Sequence, residues 1–554
     1  MLLPLLALSA LAATPAPALL LEGGQVYTAP DEPARRASIV LRDGEIAFVG
    51  GATAARARAA GARAIDLSGR FVFAGWADAH GHLEGLGEAL EIADLRGATT
   101  AAEAAARLAR AAASLPAGAW AAGRAWDQNL WPGQNFPDAR DLDAAVPDRP
   151  AWAERVDGHA VWVNSKALAA AGIGPETPDP PGGRIIRRAD GTPSGVLVDG
   201  AVGLLRRALP EASPADRERR LLAASRACAR AGLTEVQDAS HYGPASIAAL
   251  ERLADRGELP IRVYATVSSD EEILPGFLRR GVRIGRGADF LTVRAIKVIA
   301  DGALGSRGAA LESDYSDEPG KRGLLVTPPE RLDAIARAAR EHGWQLWVHA
   351  IGDRANRLAL DAFEKAATAV PRAASGGDRP RIEHAQVVAP GDIPRFAREG
   401  VIASIQPTHA TSDMAWAEKR VGPKRIEGAY AWRRLKAAGA RLAGGSDFPV
   451  ESENPLLGFY AAVTRQDLGG NPPGGWRPEE RLTRPEALAL FTTDAAYAAF
   501  EEGRRGRVAP GYDADLTVLA ADPMAAPARE IPGIRPALVI VGGRIVWDAG
   551  APAK

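Results

Sequence analysis

One cysteine, Cys228, stands in 554 residues, and there are only eight histidines and three methionines. A single thiol closes no internal disulfide and cannot build a zinc or iron–sulfur site of several cysteines. Charge bias is missing too: 67 Lys and Arg against 68 Asp and Glu leave a net charge of −1, and no run of five like charges occurs. That balance argues against a nucleic acid or an anionic membrane as partner. Several catalytic signatures are also absent: G-x-S-x-G, H-E-x-x-H, a Walker loop and a dinucleotide fingerprint. Ser306 in GSRG and Ser446 in GGSD each lack the second flanking glycine. What is present is ordinary globular material, 47% hydrophobic and 24% charged, enough for two to four domains.

The one long apolar run is at the start. Leu2 to Ala13 is followed by small residues, and Ala10-Leu11-Ala12 fits a signal-peptidase site, although the first basic residue is Arg35. We read residues 1–16 as a signal peptide, which makes the mature protein periplasmic or secreted; a cytoplasmic chain with an apolar end is the alternative. Pro4, Pro15 and Pro17 interrupt the run and argue against a membrane span.

Short β-type runs follow. LLLEGGQVYT and ASIVLRDGEIAFVG surround an Asp43-Gly44 hairpin signal, and ADLTVLA and ALVIVGGRIVW near the C-terminus turn at Gly542-Gly543. Two-stranded ribbons are marginal alone, so residues 17–70 and 500–554 are expected to form one β-sandwich from both chain ends. Between them, eight strand candidates alternate with Ala-rich helices: FVFAGWADAHGH at 71–82, then GLTEVQDAS, IRVYATVSS, FLTVRAIKVIADG, WQLWVHAIGD, RIEHAQVV, VIASIQPTHA and RLAGGSDFPV. Repeated strand-helix units favour an α/β fold, and eight favour a (β/α)8 TIM barrel over 71–85 and 220–499. In PERLDAIARAAREHG, the residues Leu332, Ile335, Ala338 and Ala339 should share one helix face. Residues 86–219 are too many for a structureless loop and read as a folded insertion, a cap over the barrel mouth. It holds five of the twelve Trp, which either fill its own core or line an apolar substrate pocket.

Barrel chemistry sits at the C-terminal ends of the strands. His80, His82, His241, His349, His384 and His409 all map there, leaving His159 in the insertion and His342 at the opposite end as a solvated residue. In a strand, positions i and i+2 share a side, so both histidines of His-Gly-His aim inward. Asp447 ends the eighth strand, and Lys297 is a cation inside an apolar fourth strand. A buried Lys is costly unless paired, so a salt bridge to Asp301 or Glu383 competes with a functional role. A metal site is the economical account of the rest.

These residues resemble the amidohydrolase superfamily, within it the YtcJ-like family 3 amidohydrolases that include N-substituted formamide deformylases. The likeness is carried by FAGWADAHGH (73–82), RVDGHAVWVNSKAL (155–168), IKVIADGALGSRGA (296–309), VHAIGD (348–353), IEHAQ (382–386), QPTHATSDM (406–414), GGSDFPV (444–450) and GYDADLTVL (511–519). It implies a metal-dependent barrel with a composite β-sandwich. It also implies two divalent metals, zinc or another, held by His80, His82, His349, His384 and Asp447, with carboxylated Lys297 as bridge. Asp447 would also shuttle the proton in hydrolysis of an amide or N-formyl C–N bond of a small molecule, and His159, Asp301 and His409 would lie near the substrate. His241 has no motif support and reads as structural. The rivals are a non-catalytic metal-binding regulator of the same family and an esterase or phosphotriesterase on the same site. A homodimer is the base-rate expectation.

Overall fold

The computed structural model describes residues 18–116, 118–156, 158, 160–180, 183–370 and 378–551. The leader read over residues 1–16, and His159, lie outside the described residues.

Eight strands form the barrel: β1 (Trp76–Gly81), β2 (Leu233–Tyr242), β3 (Arg262–Ser268), β4 (Leu291–Ile299), β5 (Gln345–Ala350), β6 (Arg381–His384), β7 (Ile402–Ile405) and β8 (Arg441–Gly444). Each pairs in parallel with the next, from β1 to β8. Parallel strands covered on both faces read as continuous apolar runs, and every residue of β3 and β7 is buried. The ring nearly closes where the chain after β8 meets β1. There Asp447 N donates to His80 O at 2.7 Å, and Ser446 donates to Asp78 through its amide at 3.1 Å and its hydroxyl at 2.6 Å. Gly445 permits this approach, since a Cβ on it would stand 2.4 Å from His80 N.

The segment 71–82 is two strands rather than one. It breaks at Gly75, where a Cβ would stand 2.2 Å from Thr234 Oγ1. Phe71–Ala74 leaves the barrel for a sheet built from both chain ends. That sheet has eight strands: seven run from Arg544–Asp548 through Pro536–Val541, Leu516–Leu519, Phe71–Ala74, Leu19–Val26 and Arg35–Arg42 to Glu45–Gly50, and the eighth, Arg63–Asp66, pairs in parallel with Leu19–Val26. Asp43 and Gly44 (φ 53° and 83°), like Gly542 and Gly543 (φ 55° and 73°), are left-handed, as two-residue hairpin turns require. On the helix Pro329–Glu341 the buried face is Leu332, Ile335, Ala336 and Ala339, so Ala336 takes the place expected for Ala338.

Residues 84–220 form a second compact unit around a six-stranded sheet. Trp126, Trp131 and Trp162 pack on one another with ring centroids 5.8–6.4 Å apart. Each indole N–H is met by a backbone carbonyl, of Ala153, Ala98 and Asp138 in turn. Trp120 and Trp152 pack against a second apolar cluster of this unit. All five tryptophans thus pack against this unit's own apolar clusters. Among the described residues no helix is long and apolar enough to cross a membrane.

Candidate metal centre

The C-terminal ends of the strands bring the chemistry together. β1 carries His80, and His82 follows one residue past its end; β4 carries Lys297, β5 His349 and β6 His384. His409 comes from the helix Pro407–Asp413 after β7, and Asp447 from the turn after β8. Asp447 is the hub. Its Oδ1 lies 2.8 Å from His82 Nε2 and 3.5 Å from His80 Nε2, and its Oδ2 lies 3.6 Å from His409 Nε2. Ligand atoms of His80, His384 and Asp447 all fall within 4.8 Å of one another. The His349 ring centre is 4.6 Å from that of His384, and Lys297 Nζ is 3.5 Å from His80 Nε2.

Strand alternation alone does not produce this convergence. In β6, Arg381 and Glu383 both reach β1, Arg381 through the carbonyl of Ala79 and Glu383 through the His80 ring, so simple alternation would send His384 to the opposite face. Left-handed φ values of 74° at His384 and 42° at Ala385 turn it back, and Asp447 has φ 62°. Backbone strain of this kind gathers where the surrounding structure fixes a functional group.

A second layer orients the imidazoles. His80 Nδ1 is held by Glu383 Oε2, which leaves Nε2 facing the centre. Glu383 is in turn gripped by Arg381, which also donates to Gln237 Oε1, Ala79 O and Ser404 Oγ and stacks over Trp347. Gln406 Oε1 accepts from His384 Nδ1 at 2.7 Å and leaves that Nε2 free as well. Carboxylate and carbonyl acceptors behind a histidine are the usual means of fixing its tautomer for a metal. Sequence reasoning missed this layer. Its trace is two charged residues at positions i and i+2 of a strand that is otherwise fully buried.

The electrostatics fit a cation. Burial pulls His80 down to about 4 and His349 to about 3, and takes His384 well below 6.5, so all three are neutral donors at pH 7. Burial acts to raise Asp447, but the His82 hydrogen bond and the neighbouring imidazoles hold it well below the usual carboxylate range. His349 Nε2 and His409 Nε2 are buried without a hydrogen-bond partner. Neutral imidazoles around an ionised carboxylate, with unpaired nitrogens aimed inward, suit a divalent metal of borderline softness. Lys297, 4% exposed, forms no ion pair among the described residues, so the expected alternative of a bridge to Asp301 or Glu383 is not formed. Burial brings its amine down to about 8.

Asp301 is fully buried and accepts from the amides of Ala310, Ile351 and Gly352 at 2.8–3.0 Å. Both oxygens accept backbone amides, so Asp301 ties the loops after β4 and β5 together, and its Oδ1 lies 3.6 Å from His349 Nε2. His241 is exposed at the end of β2, where its amide donates to Thr266 Oγ1 at 3.0 Å. His342 is exposed at the end of the helix Pro329–Glu341.

The profile of the Amidohydrolase family matches residues 63–547. The chain belongs to this family. The amidohydrolase is 35% identical over 536 residues to the putative amidohydrolase YtcJ of Bacillus subtilis, covering 95% of this chain and 98% of that one. It is 29% identical to the N-substituted formamide deformylase of Arthrobacter pascens, with 88% and 90% coverage. The crystal structure of an uncharacterised metal-dependent hydrolase from Pyrococcus horikoshii superposes with a TM-score of 0.78 at 28% identity, over 92% of this chain and 99% of that one. The amidohydrolase is accordingly a metal-dependent hydrolase whose His-His-Asp cluster sits at the barrel's C-terminal rim.

Proposed function

We propose that this amidohydrolase cleaves an amide or N-formyl C–N bond of a small molecule, using two divalent metals, zinc for preference. His80, His82 and Asp447 would hold one, His349 and His384 the other, with Lys297 carboxylated between them. When bound, such metals acidify a water toward a pKa of about 7 and polarise the substrate oxygen. The remaining steps belong to the chain. Asp447, ionised among imidazoles, accepts a proton from the attacking water and passes it to the leaving nitrogen, so the C–N bond breaks to give an acid and a neutral amine. His409 Nε2, unpaired and 3.6 Å from Asp447 Oδ2, donates to the substrate oxygen as negative charge develops there. Lys297 suits the bridging role because a neutral amine adds CO2 to form a carbamate, releasing one proton, and burial favours the neutral form.

The observation that carries this reading is the convergence of neutral His80 and His384 on ionised Asp447 at the rim. The likeness to the formamide deformylase supports N-formyl amines as the first substrates to try. The test is a panel of N-formyl amines, N-acyl amino acids, cyclic amides and aryl esters given to zinc-loaded protein, with His349→Ala as control. Turnover on a C–N substrate that Asp447→Asn abolishes while keeping its metal supports the shuttle. Near wild-type turnover in that variant would sink it.

A further inference from the structure

Three polar side chains outside the metal centre form a closed set. Tyr430 Oη donates to Asp413 Oδ2 at 2.6 Å, and Gln386 Nε2 reaches Asp413 Oδ2 at 3.2 Å and Tyr430 Oη at 2.7 Å. The Tyr430 amide closes the loop onto Gln386 O at 2.7 Å. Gln386 and Tyr430 are 5% and 2% exposed. Behind them the fully buried Arg465 donates to Tyr430 O at 3.0 Å while its guanidinium lies over Trp432 and Trp476. Tyr430 itself is left-handed, with φ 51°. Hydrogen-bonded sets of this kind specify one arrangement when every member is satisfied.

What the set fixes is the helix Pro407–Asp413. This helix has seven residues and no side-chain N-cap, too short to be stable by itself. Asp413 is its last residue, and His409 lies one turn earlier on the same face. Anchoring Asp413 to Gln386, two residues past His384, therefore fixes the position of His409 relative to the metal ligands. The His409 ring stacks on His384 at 18° with centroids 5.8 Å apart, and its Nε2 is buried without a protein partner. A buried ring nitrogen left unpaired beside Asp447 is one whose partner is a ligand.

We infer that Gln386, Asp413 and Tyr430 are positioning residues that hold His409 as hydrogen-bond donor to the substrate's carbonyl oxygen. The inference rests on the C–N hydrolysis proposed above and adds three residues to which the sequence analysis gave no role. A displacement of about 1 Å in such a donor costs up to about a hundredfold in rate.

The test uses zinc-loaded full-length protein, with p-nitroformanilide and p-nitrophenyl acetate as probes and 15N-histidine NMR as a readout independent of turnover. Tyr430→Phe removes one hydroxyl and keeps the ring. Its kcat should fall about tenfold with zinc content unchanged and KM within about twofold. The His409 ring signal, assigned through His409→Ala, should shift or broaden while that of His342 stays fixed. In the His409→Ala background, Tyr430→Phe should have no further effect. Equal losses in both backgrounds, or an unmoved His409 signal, would overturn the inference. Asp413→Asn gives the same readouts if Tyr430→Phe folds poorly. Should wild-type protein turn over neither probe, the proposed substrate class is what fails, and the ring signal still decides whether His409 is held by this set.

Discussion

Replacing Lys297 by Met separates a metal-binding lysine from a structural one, because the two predict opposite signs for stability. Lys297 is 4% exposed, has no ion pair among the described residues, and burial lowers its pKa from 10.5 to about 8. The native state thus disfavours the charged amine relative to the unfolded chain. A gap of that size corresponds to about 3 kcal/mol. Its sign follows from proton binding. Below about pH 8 both states carry the proton and the native state bears the whole penalty. Between about 8 and 10.5 the native amine loses its proton first, and stability recovers as the pH rises. In metal-stripped protein at pH 7, Lys297→Met should therefore raise the unfolding free energy by up to about 3 kcal/mol, since a side chain of similar length is buried without charge. The gain should vanish by about pH 10.5. Urea unfolding in the presence of a chelator, at several pH values, measures it. The same variant should bind less metal than wild type and lose the bicarbonate dependence expected of a carbamate. At pH 7 about one native chain in ten has the neutral amine that adds CO2, against fewer than one in a thousand for an ordinary lysine. A metal-stripped Lys297→Met protein less stable than wild type at pH 7 would refute the reasoning, since it would require the amine to be engaged in a stabilising pair.

Glu383→Gln should weaken zinc binding about 10- to 100-fold in a chelator competition, because His80 loses the charged acceptor on Nδ1. Its stability cost should stay near about 3 kcal/mol, since Arg381 keeps Gln237, Ala79 and Ser404 as acceptors; unchanged affinity would show that Glu383 does not orient His80. Gly445→Ala places a methyl group 2.4 Å from the backbone nitrogen of His80, which cannot move aside, so this variant should lose metal and unfold at lower urea than Gly391→Ala, whose Cβ would meet nothing within 4 Å. Asp301→Asn keeps one acceptor oxygen for three backbone amides and should cost about 1–3 kcal/mol, and metal content should fall less than in His349→Ala.

The parts of this architecture legible in the sequence are those where one residue type conflicts with its surroundings. A histidine or aspartate at the end of an apolar strand is conspicuous, and a (β/α)8 barrel places all such ends on one rim, so His80, His82, His349, His384, His409 and Asp447 can be gathered from the sequence. Hairpin turns were equally legible, since Asp43-Gly44 and Gly542-Gly543 are among the few pairs that accept two left-handed residues. The role of Asp301 was hidden because its partners are backbone amides, to which a residue pattern is blind. The split at Gly75 was hidden for a related reason: what ends the strand is the closeness of Thr234, more than 150 positions away in the chain.

The orienting layer failed to appear for a different reason, and that reason bears on how the site works. Arg381 and Glu383 are a charged pair at 0% exposure inside β6, a placement that burial alone would make unfavourable. Such a pair is retained when its geometry does something that an apolar pair cannot. Here it carries a negative charge to His80 Nδ1 from the interior side of the barrel, while the Gln386–Asp413–Tyr430 set acts on His409 from the loops after β6 and β7. A metal-facing nitrogen and a substrate-facing one are thus aimed by two independent supports, one inside the barrel and one at its mouth. Variants of the first should change metal affinity, and variants of the second should change turnover at constant metal content. A Glu383→Gln protein that kept its zinc and lost only kcat would break that division and place the interior support among the parts that act on substrate.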